Sequence, residues 1–71
     1  IYPNPAINFL QITVDNESKI LLYNSNGQLQ KEIAVSGSSK IDISQFKTGV
    51  YILKIVDHSG VYASKLLIER Q

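Results

Sequence analysis

The chain contains no cysteine, no methionine and no tryptophan. Without cysteine it has neither a disulfide framework nor a thiolate zinc site. A domain of 71 residues must then rest on a dense apolar core or on a neighbour. Without methionine it lacks an initiator of its own, and the expectation is a piece of a longer polypeptide. Histidine occurs once, at His58, and one imidazole with no thiolate does not make a zinc centre. Neither charge dominates, since seven Lys and Arg face six Asp and Glu, and the basic residues are scattered from Lys19 to Arg70 without the stripe and interleaved aromatics of a nucleic-acid binder. No apolar run approaches the roughly 20 residues of a membrane helix. The first residues also lack the basic start and apolar middle of a signal peptide. Alanine appears only at Ala6, Ala34 and Ala63. What remains is aliphatic: 10 Ile, 7 Leu and 5 Val, a bias toward side chains that pack well on a pleated sheet and lose rotamer freedom in a helix.

The order of these residues is that of short strands divided by turns. Pro3 and Pro5 impose extended backbone around Asn4. From Phe9 to Val14 the residues Leu10, Ile12 and Val14 alternate with Gln11 and Thr13. Asp15 to Ser18 form a polar turn, and a second run covers Lys19 to Tyr23. Asn24-Ser25-Asn26-Gly27 is the strongest hairpin signal, because Asn-Gly readily supplies positive φ. A third strand over Gln28 to Val35 turns Leu29, Ile33 and Val35 to one side and Gln30, Glu32 and Ala34 to the other, so it stands near an edge or faces water. Ser36 to Ser39 form a loop, Lys40 to Ile43 a fourth strand, and Val50 to Val56 a long fifth strand, apolar on both faces and therefore central. Asp57 to Gly60 turn the chain into a last strand over Val61 to Glu69. The expectation is an all-β, small immunoglobulin-like antiparallel β-sandwich of six or seven strands. Tyr51, two residues after Gly49, stands where such sandwiches return a tyrosine hydroxyl to the backbone upstream and pin a corner.

Catalytic chemistry is poorly represented. Asp57, His58 and Ser59 spell a triad only in sequence, since nucleophile, base and orienting carboxylate must converge from separate elements. They read as turn residues. Asp15, Asn16 and Glu17 lack the spaced oxygens of a calcium loop, Asn16-Glu17-Ser18 matches a glycosylation sequon, and the chain is too small to frame two carboxylates across a sugar cleft. No catalytic residue, metal or cofactor is expected. Tyr2, Tyr23, Tyr51 and Tyr62 could form a sugar platform if several shared one exposed face.

Four stretches in order carry a resemblance over essentially the whole chain. They are Tyr2-Pro3-Asn4-Pro5-Ala6, then Ile20 to Tyr23 before the turn ending in Gly27, then Ile41-Asp42-Ile43-Ser44 through Phe46 to Gly49-Val50-Tyr51, and Lys65-Leu66-Leu67-Ile68. Together they resemble the type A C-terminal sorting domain of type IX secretion in Bacteroidota. Phe46 stands where that family more often has Leu.

The resemblance implies a single noncatalytic sorting domain over residues 1–71, a fragment of a longer secreted protein. It would direct an N-terminal cargo through the periplasm and the outer-membrane translocon to the cell surface or beyond, with a sortase-like surface peptidase removing or processing it there. Carried over by position, Pro3, Asn4 and Pro5 mark the junction with the cargo, Gly49 and Tyr51 the structural corner, and Lys65, Leu66 and Ile68 the recognition segment. No membrane insertion and no nucleic acid are implied. Exposed edge strands leave room for a dimer. The alternative is an immunoglobulin-like accessory or carbohydrate-binding module of a secreted hydrolase, with Tyr23 or Tyr62 as the sugar contact.

Overall fold

The computed structural model describes residues 8–69, and the junction residues Pro3, Asn4 and Pro5 lie outside that range. Four strands follow one another: β1 (Phe9–Asn24), β2 (Leu29–Asp42), β3 (Gly49–Asp57) and β4 (Gly60–Ile68). They form one antiparallel sheet in the order β2-β1-β3-β4, with β3 in the interior and β2 and β4 at the edges. The all-β antiparallel expectation holds, but the described residues contain four strands and not six or seven. Two expected breaks do not interrupt the chain. Of Asp15 to Ser18, read as a turn, Asp15 to Glu17 form a bulge within β1, where Val14 pairs with Gly37 and Ser18 already pairs with Val35. Ser36 to Ser39, read as a loop, run on within β2, with Gly37 at φ 69°, a left-handed conformation that a glycine adopts at no steric cost.

That bulge makes two walls from one sheet. In a straight strand Leu10 and Leu22 would stand about 40 Å apart at roughly 3.3 Å per residue, beyond the molecule's longest extent of 35 Å. Instead Leu10, Ile41 and Ile43 line one small interior cavity together with Ile20, Leu22 and Leu53. The β1–β2 ribbon therefore bends over the β1–β3–β4 region, as bulged ribbons do. Even-numbered residues of β1 face inward on both sides of the bend, so Leu10, Ile12, Ile20 and Leu22 join one core with Leu53, Leu66 and Ile68. On β2 the inward set is odd, with Ile33 packed on the core and Val35 and Ile41 buried in it. Lys31 bridges the walls, its ammonium donating to the Asp42 carbonyl at 3.1 Å.

The turns follow local chemistry. Asn24 Oδ1 accepts from the backbone N–H groups of Asn26 at 2.9 Å and Gln28 at 3.0 Å, while Gly27 supplies φ 83°. This closes the β1–β2 hairpin that the Asn-Gly signal foretold. A second register shift, between Leu22 and Tyr23, pairs Tyr23 with Leu29 and leaves Gln30 as the extra residue. One added residue reverses the face of its neighbours, so Leu29 points outward and is 49% exposed, apart from the inward pair Ile33 and Val35.

Candidate functional site

The corner after β2 is built from three neighbours. Tyr51 opens β3 with a buried ring, and its hydroxyl donates to the Lys47 carbonyl at 2.8 Å. Phe46 tilts against that ring at 53° with the centroids 5.9 Å apart, a favourable aromatic arrangement. The turn is fastened further by the Phe46 N–H donating to the Ile43 carbonyl at 3.1 Å. Gly49 has no positive φ, and a Cβ there would meet the Tyr51 ring at 3.8 Å, an ordinary contact. Of the expected corner pair, Tyr51 thus carries the geometry, while the local backbone of Gly49 makes no demand for glycine.

The last strand separates its residues by face. Leu66 and Ile68 are 1% and 0% exposed, opposite Tyr51 and Gly49 on β3. Lys65, opposite Ile52, points the other way and is exposed. Among the described residues no ion pair or aromatic ring engages its ammonium. Because β4 is an edge strand, its outer backbone edge has no neighbouring strand among the described residues. The three expected recognition residues therefore share a strand but not a surface.

Asp57, His58 and Ser59 form a turn and not a triad. Asp57 Oδ1 accepts from the Ser59 hydroxyl at 2.7 Å and from the N–H groups of Ser59 at 2.8 Å and Gly60 at 3.1 Å. Hydrogen bonds from the Ser59 side chain and then its backbone hold the Asp57 carboxyl below its ordinary value of 3.8. The Ser59 hydroxyl bonds the carboxylate of its own turn and not the His58 imidazole, so the relay of nucleophile, imidazole and orienting carboxylate is not assembled. An open groove near the bend, bordered by Glu17, Lys19, Ser36, Asp57 and His58, lacks a nucleophile oriented by a base. Among the described residues no cluster of three His, Asp or Glu side chains could hold a metal.

Among the described residues the tyrosines do not form a platform, and Tyr2 lies outside that range. Tyr51 is in the core, Tyr23 lies half-buried on the outward face under Lys54, and Tyr62 is 60% exposed at the open end of the inward face. What sequence reasoning passed over is the outward face of the sheet itself. Tyr23, Ile52 and Lys65 form one cross-strand row of it. The signal was present in β3, whose two apolar faces were attributed to its central position.

The chain matches the secretion system C-terminal sorting domain over residues 1–69. It is 36% identical over 73 aligned positions to beta-agarase A of Zobellia galactanivorans, covering 97% of this chain and 13% of that protein. Beta-agarase D of the same organism is 36% identical, with 84% of this chain and 12% of the relative covered. Ulvan lyase NLR42 of Nonlabens ulvanivorans is 34% identical, covering 96% and 14%. The chain thus spans 12 to 14% of the length of these curated relatives. No solved structure matches it. The family match runs through the Tyr51 corner and the whole of β4, and the chain belongs to the secretion system C-terminal sorting domain family, noncatalytic signals that send proteins out through the outer membrane by type IX secretion.

Proposed function

We propose that residues 1–71 act as one module at the C-terminal end of a longer secreted protein, and that the translocon reads it through β4. The match over residues 1–69 carries this reading. The geometry supports a division of labour within the recognition segment. Leu66 and Ile68 seat β4 on the core, and that seating turns Lys65 outward on an edge strand. A partner could then add a strand along β4, taking affinity from backbone hydrogen bonds and register from alternate side chains. In this reading Pro3, Asn4 and Pro5 mark the junction with the cargo, ahead of which a surface peptidase cuts. Relatives named as agarases and an ulvan lyase favour a polysaccharide-degrading enzyme as the cargo.

The test places a periplasmic reporter ahead of residues 1–71 in a type IX host and measures the reporter on the cell surface and in the medium. The intact fusion is exported, whereas a fusion lacking residues 65–71 stays in the periplasm. That deletion also removes Leu66 and Ile68, so Lys65→Glu is run beside it, with its melting temperature checked. Export of the deletion at the level of the intact fusion would remove β4 as the address. Export of a reporter with no added domain would remove the sorting role.

A further inference from the structure

We propose that the outward face of the β1–β3–β4 region is a second contact surface of the sorting domain, one that docks an acidic protein surface with an apolar centre. The proposal rests on the sorting reading and adds to it the chemistry of the partner.

An antiparallel sheet with one face in water ordinarily alternates apolar inward and polar outward. This sheet does not. The outward positions of β3 and β4 pair as Val50 with Leu67, Ile52 with Lys65, Lys54 with Ala63 and Val56 with Val61, so only the two lysines are polar. Leu21 and Tyr23 extend the same face on β1, opposite Lys54 and Ile52. Val50 and Val61 are 42% and 64% exposed, and the bent ribbon packs on the opposite side of the sheet. Within the described residues the face therefore keeps apolar surface exposed at Val50 and Val61, in a chain whose margin of stability is small.

Its charge selects the occupant. Among the paired strand positions of this face, Lys19, Lys54 and Lys65 stand with a single carboxylate, Glu32, opposite Leu21. That surplus of two positive charges exceeds the +1 of the entire chain. Glu32 is already engaged by Lys19 at 3.3 Å. Lys54 stands 5.1 Å above the Tyr23 ring, which orders its stem without neutralising it, and Lys65 has no ion pair among the described residues. A second copy docked face to face would oppose lysine with lysine. Anionic lipid is usually held by clusters of roughly four to eight basic residues, more than this face offers. Carboxylates placed around an apolar centre satisfy both of its characters.

The size of the face sets the strength. Three strands at about 4.8 Å spacing and seven residues at about 3.3 Å rise give on the order of 300 Å² of flat area, below the roughly 800 Å² per partner of a stable complex. The contact is transient and salt-sensitive, as a signal that must be released requires.

The experiment uses the full-length secreted protein in its type IX host and avoids residues 65–71, so that it does not disturb the β4 edge. Lys54→Glu and Val61→Asp are compared with Lys47→Glu, which makes the same charge change at the corner. A photo-crosslinking amino acid at Ala63 captures the neighbour during export. The expected result is unchanged melting for all three variants, at least a tenfold loss of surface-exposed protein for Lys54→Glu and Val61→Asp, and wild-type export for Lys47→Glu. The adduct at Ala63 maps to an Asp- and Glu-rich segment of a host protein and weakens at least tenfold between 50 and 500 mM salt. Wild-type export of both face variants overturns the proposal, as does an adduct with a second copy or with lipid. If those variants are exported while deletion of the whole domain still blocks export, the docking face fails and the sorting role survives. Export without the domain would remove both.

Discussion

Removing one oxygen atom from Tyr51 tests whether the corner holds the two walls together. A domain of 71 residues at roughly 0.05 to 0.15 kcal/mol per residue has about 4 to 11 kcal/mol in total. Tyr51→Phe keeps the ring beside Phe46 and deletes the bond to the Lys47 carbonyl, 2.8 Å long and only partly buried. Water can reach a partly buried carbonyl, so the loss is about 1 kcal/mol, equivalent to roughly 4 to 8 °C in a domain of this size. Tyr51→Ala also removes a ring that is 8% exposed and costs about 3 to 5 kcal/mol, which at the low end of that total leaves much of the population unfolded. Lys65→Ala, on an exposed edge, changes stability by less than about 0.5 kcal/mol. The assay is urea unfolding followed by circular dichroism, with the denaturant slope held as a check on two-state behaviour. Equal midpoint shifts for Tyr51→Phe and Lys65→Ala would refute the division between a residue that builds the corner and one that faces outward.

Other expected outcomes follow from single contacts. Gly49→Ala shifts stability by less than about 1 kcal/mol, because its φ is unstrained and a Cβ would sit at ordinary contact distance. Gly27→Ala, at φ 83°, costs about 1 to 2 kcal/mol; thermal melts of the pair check the contrast. Leu53→Ala empties a site that is 1% exposed and costs about 2 to 5 kcal/mol, read as a matching loss in urea midpoint. Asp57 has a folded pKa held below its ordinary 3.8, so its contribution is present above that value and is lost as pH falls through the lower folded value. Melting temperatures recorded from pH 6 to pH 2 should therefore fall less steeply below about pH 4 in Asp57→Asn than in the parent chain.

The legible parts of this fold were those encoded by neighbours in sequence. Alternation placed Leu10, Ile12 and Val14 on one face, the Asn26-Gly27 pair located the β1–β2 hairpin, and the spacing from Gly49 to Tyr51 located the tyrosine corner. The bulges were not legible. Asp15 to Glu17 and Gly37 have the composition of a turn, and only the partner strand, some twenty residues away in β1–β2 pairing, decides whether the chain reverses or merely bends. A second, local shift beside the hairpin, where Tyr23 pairs with Leu29, moved Leu29 to the outward side. At the candidate site, Lys65 could be picked out as a charge beside the apolar run Leu66 to Ile68. The burial of Leu66 and Ile68 could not, because strand periodicity gives two faces without saying which of them meets the core.

The bend at Asp15 to Glu17 has a bearing on passage. Two separate sheets can slide past each other, but here both walls are lengths of one hydrogen-bonded ribbon, so the module cannot be thinned by parting them without breaking the β1–β2 ladder. Its narrow cross-section is 23 by 16 Å. A channel that lets the folded domain through end-on must open at least that far, and one that cannot must first melt the bend.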